Sequence, residues 1–82
     1  MEQLTRAVLE DQTEKAVCLC VRMKTTSGGE SNNDNFYPSF FPKSQVEQRG
    51  KLWFATPWII GKKEKEIAEE CGYDSVKLLT GG

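Results

Sequence analysis

Eighty-two residues are enough for one domain with one small core, because a chain this short buries only about 60–65% of the surface its unfolded form exposes. Apolar residues make up 38% of the chain and charged residues 28%; the net charge is −1 and there is no histidine. These figures exclude a His-based catalytic triad, a His-metal site and a His proton switch, and they supply no general attraction to DNA or to membranes.

The segment Leu4–Glu10 is ambiguous between helix and strand, since Leu4 and Val8 also fit one helical face. Asp11-Gln12-Thr13 is a polar break suited to a turn. Residues 15–24 give the clearest strand. Val17, Leu19, Val21 and Met23 alternate with Ala16, Cys18, Cys20 and Arg22, and both rows are apolar until Arg22. That pattern predicts a central strand with something packed on each side. Residues 25–35 hold no apolar side chain and predict a long polar hairpin loop. Residues 36–42 form an aromatic strand. Pro38 places it at an edge or interrupts it, and Pro42 ends it.

Residues 44–50 are polar apart from Val46, with a turn at Gly50. A strand over 51–56 sets Leu52 and Phe54 on one face and Trp53 and Ala55 on the other. Thr56 can cap a helix that has Pro57 at its first position. Gly61 weakens that helix, so it is best formed over 62–71, where Lys62 can pair with Glu66 and Lys65 with Glu69. Gly72 stops it. Tyr73–Gly82 holds a last strand or a short helix, with 80–82 as a frayed tail. The sum is a single domain over residues 1–82, mainly β within the α+β class. It is a small antiparallel β-meander or partly open barrel of roughly four or five strands with one C-terminal helix.

No apolar run is long enough to cross a membrane, and the opening Met-Glu-Gln-Leu-Thr-Arg has no signal-peptide character. With an odd count of cysteines (Cys18, Cys20 and Cys71), this predicts a cytoplasmic protein with reduced thiols. Cys18 and Cys20 share a strand face and read as small apolar core residues; a metal site would lack a fourth ligand. Gly28-Gly29 is not followed by the Lys-Ser/Thr of a phosphate loop, and Lys43-Ser44 reads as a strand-ending turn rather than a catalytic pair. No enzyme activity, cofactor or metal is expected. A small thiol-dependent enzyme is the third reading.

The uneven feature is the aromatics. Seven of the eight fall between positions 36 and 58: Phe36, Tyr37, Phe40, Phe41, Trp53, Phe54 and Trp58. Phe36 and Phe40 take one strand face and Tyr37 and Phe41 the other, so one small core cannot hold them all. Either the helix covers the second face, or some rings are exposed. Exposed rings beside cations make a stacking platform for unpaired bases. The candidate ligand-binding residues are Tyr37, Phe41, Lys43, Ser44, Gln45, Arg49, Trp53, Trp58, Lys62 and Lys63.

Three segments carry a resemblance: Gln12-Thr13-Glu14-Lys15-Ala16-Val17, Phe40-Phe41-Pro42-Lys43-Ser44-Gln45-Val46 and Thr56-Pro57-Trp58-Ile59-Ile60. Together they are similar to a family of uncharacterised small β-domains of phages and other prokaryotic sources. Its pattern runs Thr-x-Lys-Ala, then aromatic-x-Pro-Lys-Ser-Gln, then Pro-x-Trp-Ile or Leu. The resemblance covers residues 13–63 and implies a β-meander followed by a helix, with Leu4–Glu10 as a strand. The chain departs from the pattern in its long 25–35 loop and in its extension beyond residue 63. The resemblance implies no activity.

The functional expectation is a phage-like, non-enzymatic binding module for single-stranded nucleic acid or a nucleotide. The alternative is a protein-binding inhibitor or adaptor acting on a host defence complex, with homo-oligomers expected if an apolar patch is exposed.

Overall fold

The computed structural model describes residues 1–28 and 33–81. Strands β1 (Glu2–Leu4), β2 (Val8–Gln12), β3 (Ala16–Thr26) and β4 (Asn33–Pro42) come first. A short 3-10 turn at Lys43–Gln45 follows, then β5 (Val46–Arg49), β6 (Leu52–Ala55), helix α1 (Pro57–Cys71) and β7 (Ser75–Leu78). The strands form two open antiparallel sheets. One has the order β1-β6-β5. In the other, β3 is central, with β4 along one edge and β2 and β7 end to end along the opposite edge. The class is the mainly β, α+β one expected. Among the described residues, no helix is long and apolar enough to cross a membrane.

Alternation in β3 builds the core. Val17, Leu19, Val21, Met23 and Thr25 are buried on its inner face. They meet Phe41 from β4, Leu4 from β1, Trp53 and Ala55 from β6, and Leu78 from β7. Helix α1 contributes Ile59, Ile60 and Ile67 to the same cluster. Both inner sheet faces and one side of the helix therefore share one core.

Several elements differ from expectation. Leu4–Glu10 is two strands, because the chain turns at Thr5–Ala7, where Arg6 has φ 51°. The polar run Val46–Arg49 is a strand pairing with β6, since an edge strand needs only one apolar contact, here from Val46. β3 continues through Thr25 and Thr26 into the predicted loop. Thr25 is buried and accepts a hydrogen bond from Asn35 Nδ2 at 2.6 Å. What remains of that loop lies largely outside the described residues.

Helix α1 runs unbroken through Gly61, whose cost of about 1 kcal/mol against alanine is smaller than the gain from burying Ile59 and Ile60 beside it. Thr56 caps the helix, accepting from the Ile59 N–H at 3.3 Å, and Gly72 ends it at φ 73°. Among the described residues the helix carries one ion pair, Lys63–Glu66, rather than the two expected. Thr80 and Gly81 are held rather than frayed: Thr80 bridges Leu4, and the Gly81 N–H donates to Gln3 O at 2.9 Å; Gly82 lies outside the described residues. The edge of β7 is closed by Glu64, whose carboxylate accepts from the Leu78 N–H at 2.8 Å.

Candidate interaction surface

The expected binding residues do not converge. Phe41 is 0% and Trp53 7% exposed, so both rings are core and neither can stack on a ligand. The reason is register: Phe41 lies opposite Val17, and Trp53 opposite Leu4, both on inward rows. Lys63 is also buried. Its stem crosses the core edge, its ammonium lies 5.7 Å from the Phe41 ring centroid, and Glu66 receives it at 3.5 Å. Gln45 is committed to the fold. Its Oε1 accepts from the Thr56 hydroxyl at 2.7 Å, and its carbonyl accepts from the Thr56 N–H.

Tyr37 is half-buried and donates from its hydroxyl to Glu70 Oε2 at 2.8 Å, joining β4 to α1. That bond and partial burial push its phenol up to about 12 from the ordinary 10.0. A raised folded-state value means the bond stabilises the fold in full below pH 10.0 and is lost as pH climbs through about 12. Ultraviolet titration should show one tyrosine ionising near pH 12, a component absent from Tyr37→Phe; a wild-type titration without this late component would break the assignment.

The other candidates are exposed but dispersed. Arg49 on β5 pairs with Glu47 and lies 4.8 Å from the Phe54 ring centroid. Lys43 and Ser44 sit on the turn after β4. Trp58 is 61% exposed at the start of α1, with Lys62 5.1 Å from its ring centroid. The Gln45–Thr56 bonds bring the turn beside the helix start, so Lys43, Ser44, Trp58 and Lys62 share one region with a single open ring. No enclosed cavity forms among the described residues.

The larger exposed surface is one the sequence reading did not select. Residues directly opposite in an antiparallel pair project to the same face. On the outer face of the four-stranded sheet this gives successive rows: Asp11, Cys18, Phe40; then Val8, Cys20, Pro38; then Arg22, Phe36; then Lys77, Lys24, Asp34. Val8 is 58%, Phe36 62% and Phe40 46% exposed. Helix α1 packs on the inner side, so nothing in the described chain covers this face. Arg22 lies over the Phe36 ring, 4.6 Å from its centroid.

Cys18 is buried at the foot of this face, and its thiol is pushed up by burial and then by the nearby Glu10 and Asp11 charges. It is therefore held as a thiol at neutral pH, which suits packing rather than nucleophilic attack. The signal that could have found the face was in β3. Arg22 and Lys24 fall on the row of Cys18 and Cys20, and two charges mark that row as solvent-facing. Pairing then carries Phe36 and Phe40 outward with it.

No family model, no curated protein and no solved structure matches this chain.

Proposed function

We propose that this protein is a non-enzymatic docking module that binds another polypeptide through the outer face of its four-stranded sheet. The observation that carries the reading is the exposure of Val8, Phe36 and Phe40 on one continuous, otherwise uncovered face. A small domain has little apolar surface to spare, and grouped exposed rings rimmed by charge are the ordinary signature of a protein contact. A flat sheet face suits a macromolecule better than a small ligand, which needs concavity.

Single-stranded nucleic acid is the weaker reading. Successive bases need successive open rings, and of Tyr37, Phe41, Trp53 and Trp58 only Trp58 is freely exposed. Phe36 and Phe40 are open, but Pro38 stands between them on β4, and the cations Arg22, Lys24 and Lys77 share the face with Val8, Asp11 and Asp34, a mixture of apolar and both charge types that repays a polypeptide more than a phosphate backbone. The motif resemblance to small phage domains fits either reading and carries no activity of its own.

Site-specific photocrosslinking tests the proposal. Benzoylphenylalanine in place of Phe40 should give polypeptide adducts, in the purified protein or in extract of the producing cells. The same probe in place of Leu52, exposed on the outer face of the other sheet, should not. Adducts to nucleic acid alone, or equal labelling from both positions, would overturn it.

A further inference from the structure

We infer that the polypeptide bound on this face is a second copy of the chain, with two four-stranded sheets packed face to face about a two-fold axis. The inference rests on the docking reading above and names its partner. Its basis is the order of charge along one sheet edge. β2 and β7 lie end to end beside β3. β2 presents Asp11 in the row of Cys18, and β7 presents Lys77 in the row of Lys24. The midpoint between those rows falls between Cys20 and Arg22, at the centre of the apolar band.

A two-fold axis through that midpoint, perpendicular to the strands and lying between the sheets, sets β2 of one copy over β7 of the other. Asp11 of each copy then faces Lys77 of its mate. Phe36 of each copy meets Pro38 of its mate beside the axis, where the apolar side chains are densest. An isologous contact repeats every pairing twice, so one acid and one base at equal distances from the axis become two complementary pairs. The same rotation sets the Lys24 and Asp34 row against Cys18 and Phe40 of the mate. Glu10, in the β2 irregularity beside Asp11, adds a second acid at the end of the face that meets Lys24 and Lys77 of the mate, and Arg22 is already folded over Phe36.

The size is sufficient for a modest association. An eleven-residue β3 and its two neighbours span about 33 Å by about 14 Å, or about 900 Å2 from two copies, just below the roughly 1,000 Å2 that stable specific interfaces exceed and within the range of weak, transient ones. Dissociation constants of about 1–100 μM are consistent with such an area.

Equilibrium sedimentation of the whole chain, from about 1 μM to about 500 μM, brackets this range. The wild type should pass from monomer to dimer. Asp11→Lys and Lys77→Asp each convert two attractions into two repulsions, and each should weaken association at least about tenfold. The double variant Asp11→Lys/Lys77→Asp restores the complementarity in reverse and should return to within about threefold of wild type. Both positions are exposed, so thermal unfolding should be nearly unchanged, which separates lost contact from lost fold. A monomer throughout, single variants that dimerise like wild type, or a double variant weaker than either single one would overturn the second-copy partner. If the protein is monomeric yet the probe at position 40 still labels a different polypeptide, docking through this face stands and only the second copy falls. If it is monomeric and gives no adduct, both fall.

Discussion

Phe41→Ala should cost about 3–5 kcal/mol of stability, the usual penalty for emptying a fully buried phenylalanine site. A domain of this length holds roughly 4–12 kcal/mol in all, so the variant should lose a quarter or more of its stability and become marginal if the wild type lies at the lower end of that range. The size of the effect follows from position. Phe41 has 0% exposure, lies opposite Val17 in the β3–β4 ladder, and supports the Lys63 ammonium over its ring. Removing the ring opens a cavity between β3, β4 and α1 and takes the aromatic face from a buried cation. The β3–β4 pair is the longest among the described residues, running from Ala16↔Pro42 to Thr25↔Asn33, so a defect there cannot be confined to one end. Urea denaturation checks the prediction: the midpoint should fall sharply while the slope stays close to wild type. Phe41→Leu, which retains much of the volume, should recover more than half the loss. A Phe41→Ala midpoint within about 1 kcal/mol of wild type would mean that the ring is not in the core.

The fold was legible wherever one side-chain period dominated. β3 alternates over its whole length, Thr56-Pro57 announces a helix start, and Gly72 sits where only a left-handed residue stops the helix without strain. Legibility failed where local composition and tertiary pairing disagree. Val46–Arg49 carries no strand signal because three of its four residues are polar, yet it needs only Val46 to join β6 and the core. Thr25, Asn33 and Asn35 belong to a run that reads as a mobile loop. Their backbones are nonetheless held in the ladder and Thr25 is buried. Gly61 reads as a weak point in a helix that burial on either side of it sustains.

The site was harder to read than the fold for a reason specific to strands. A period of two sorts the rings into two sets without saying which set is inside. On β4 the choice between Phe36 with Phe40 and Tyr37 with Phe41 is made by the register against β3, and that register depends on where the hairpin turns. Candidates chosen as ring plus neighbouring cation therefore mixed two faces and a helix. Phe41, Trp53 and Lys63 went to the core, Gln45 to the helix cap, and the rings actually left open were Phe36, Phe40 and Trp58.

Phe36→Asp should have the opposite profile to Phe41→Ala, although both rings lie on β4. Phe36 is 62% exposed and its main contact is the Arg22 guanidinium. Losing that cation–π contact removes about 0.5–1 kcal/mol, and the new carboxylate can pair with the same guanidinium, so stability should change by less than about 1 kcal/mol. Association should suffer far more. Phe36 lies beside the axis of the proposed dimer, where each copy would have to desolvate an aspartate against Pro38 of its mate. Two desolvated carboxylates, each offset only by the Arg22 of its own copy, plus the loss of two rings, should weaken self-association at least about a hundredfold. Crosslinking from position 40 should fall with it, because both residues share the outer face of β4. The measurement is a pair of curves on one protein, urea unfolding and equilibrium sedimentation. A variant that unfolds like wild type and stays monomeric at the concentration where wild type dimerises assigns Phe36 to the interface and not to the fold. If instead Phe36→Asp dimerises like wild type, the open rings of β4 are not where two copies meet, and the dimer proposed on this face would have to be abandoned; crosslinking from position 40 then decides whether the face docks a different polypeptide.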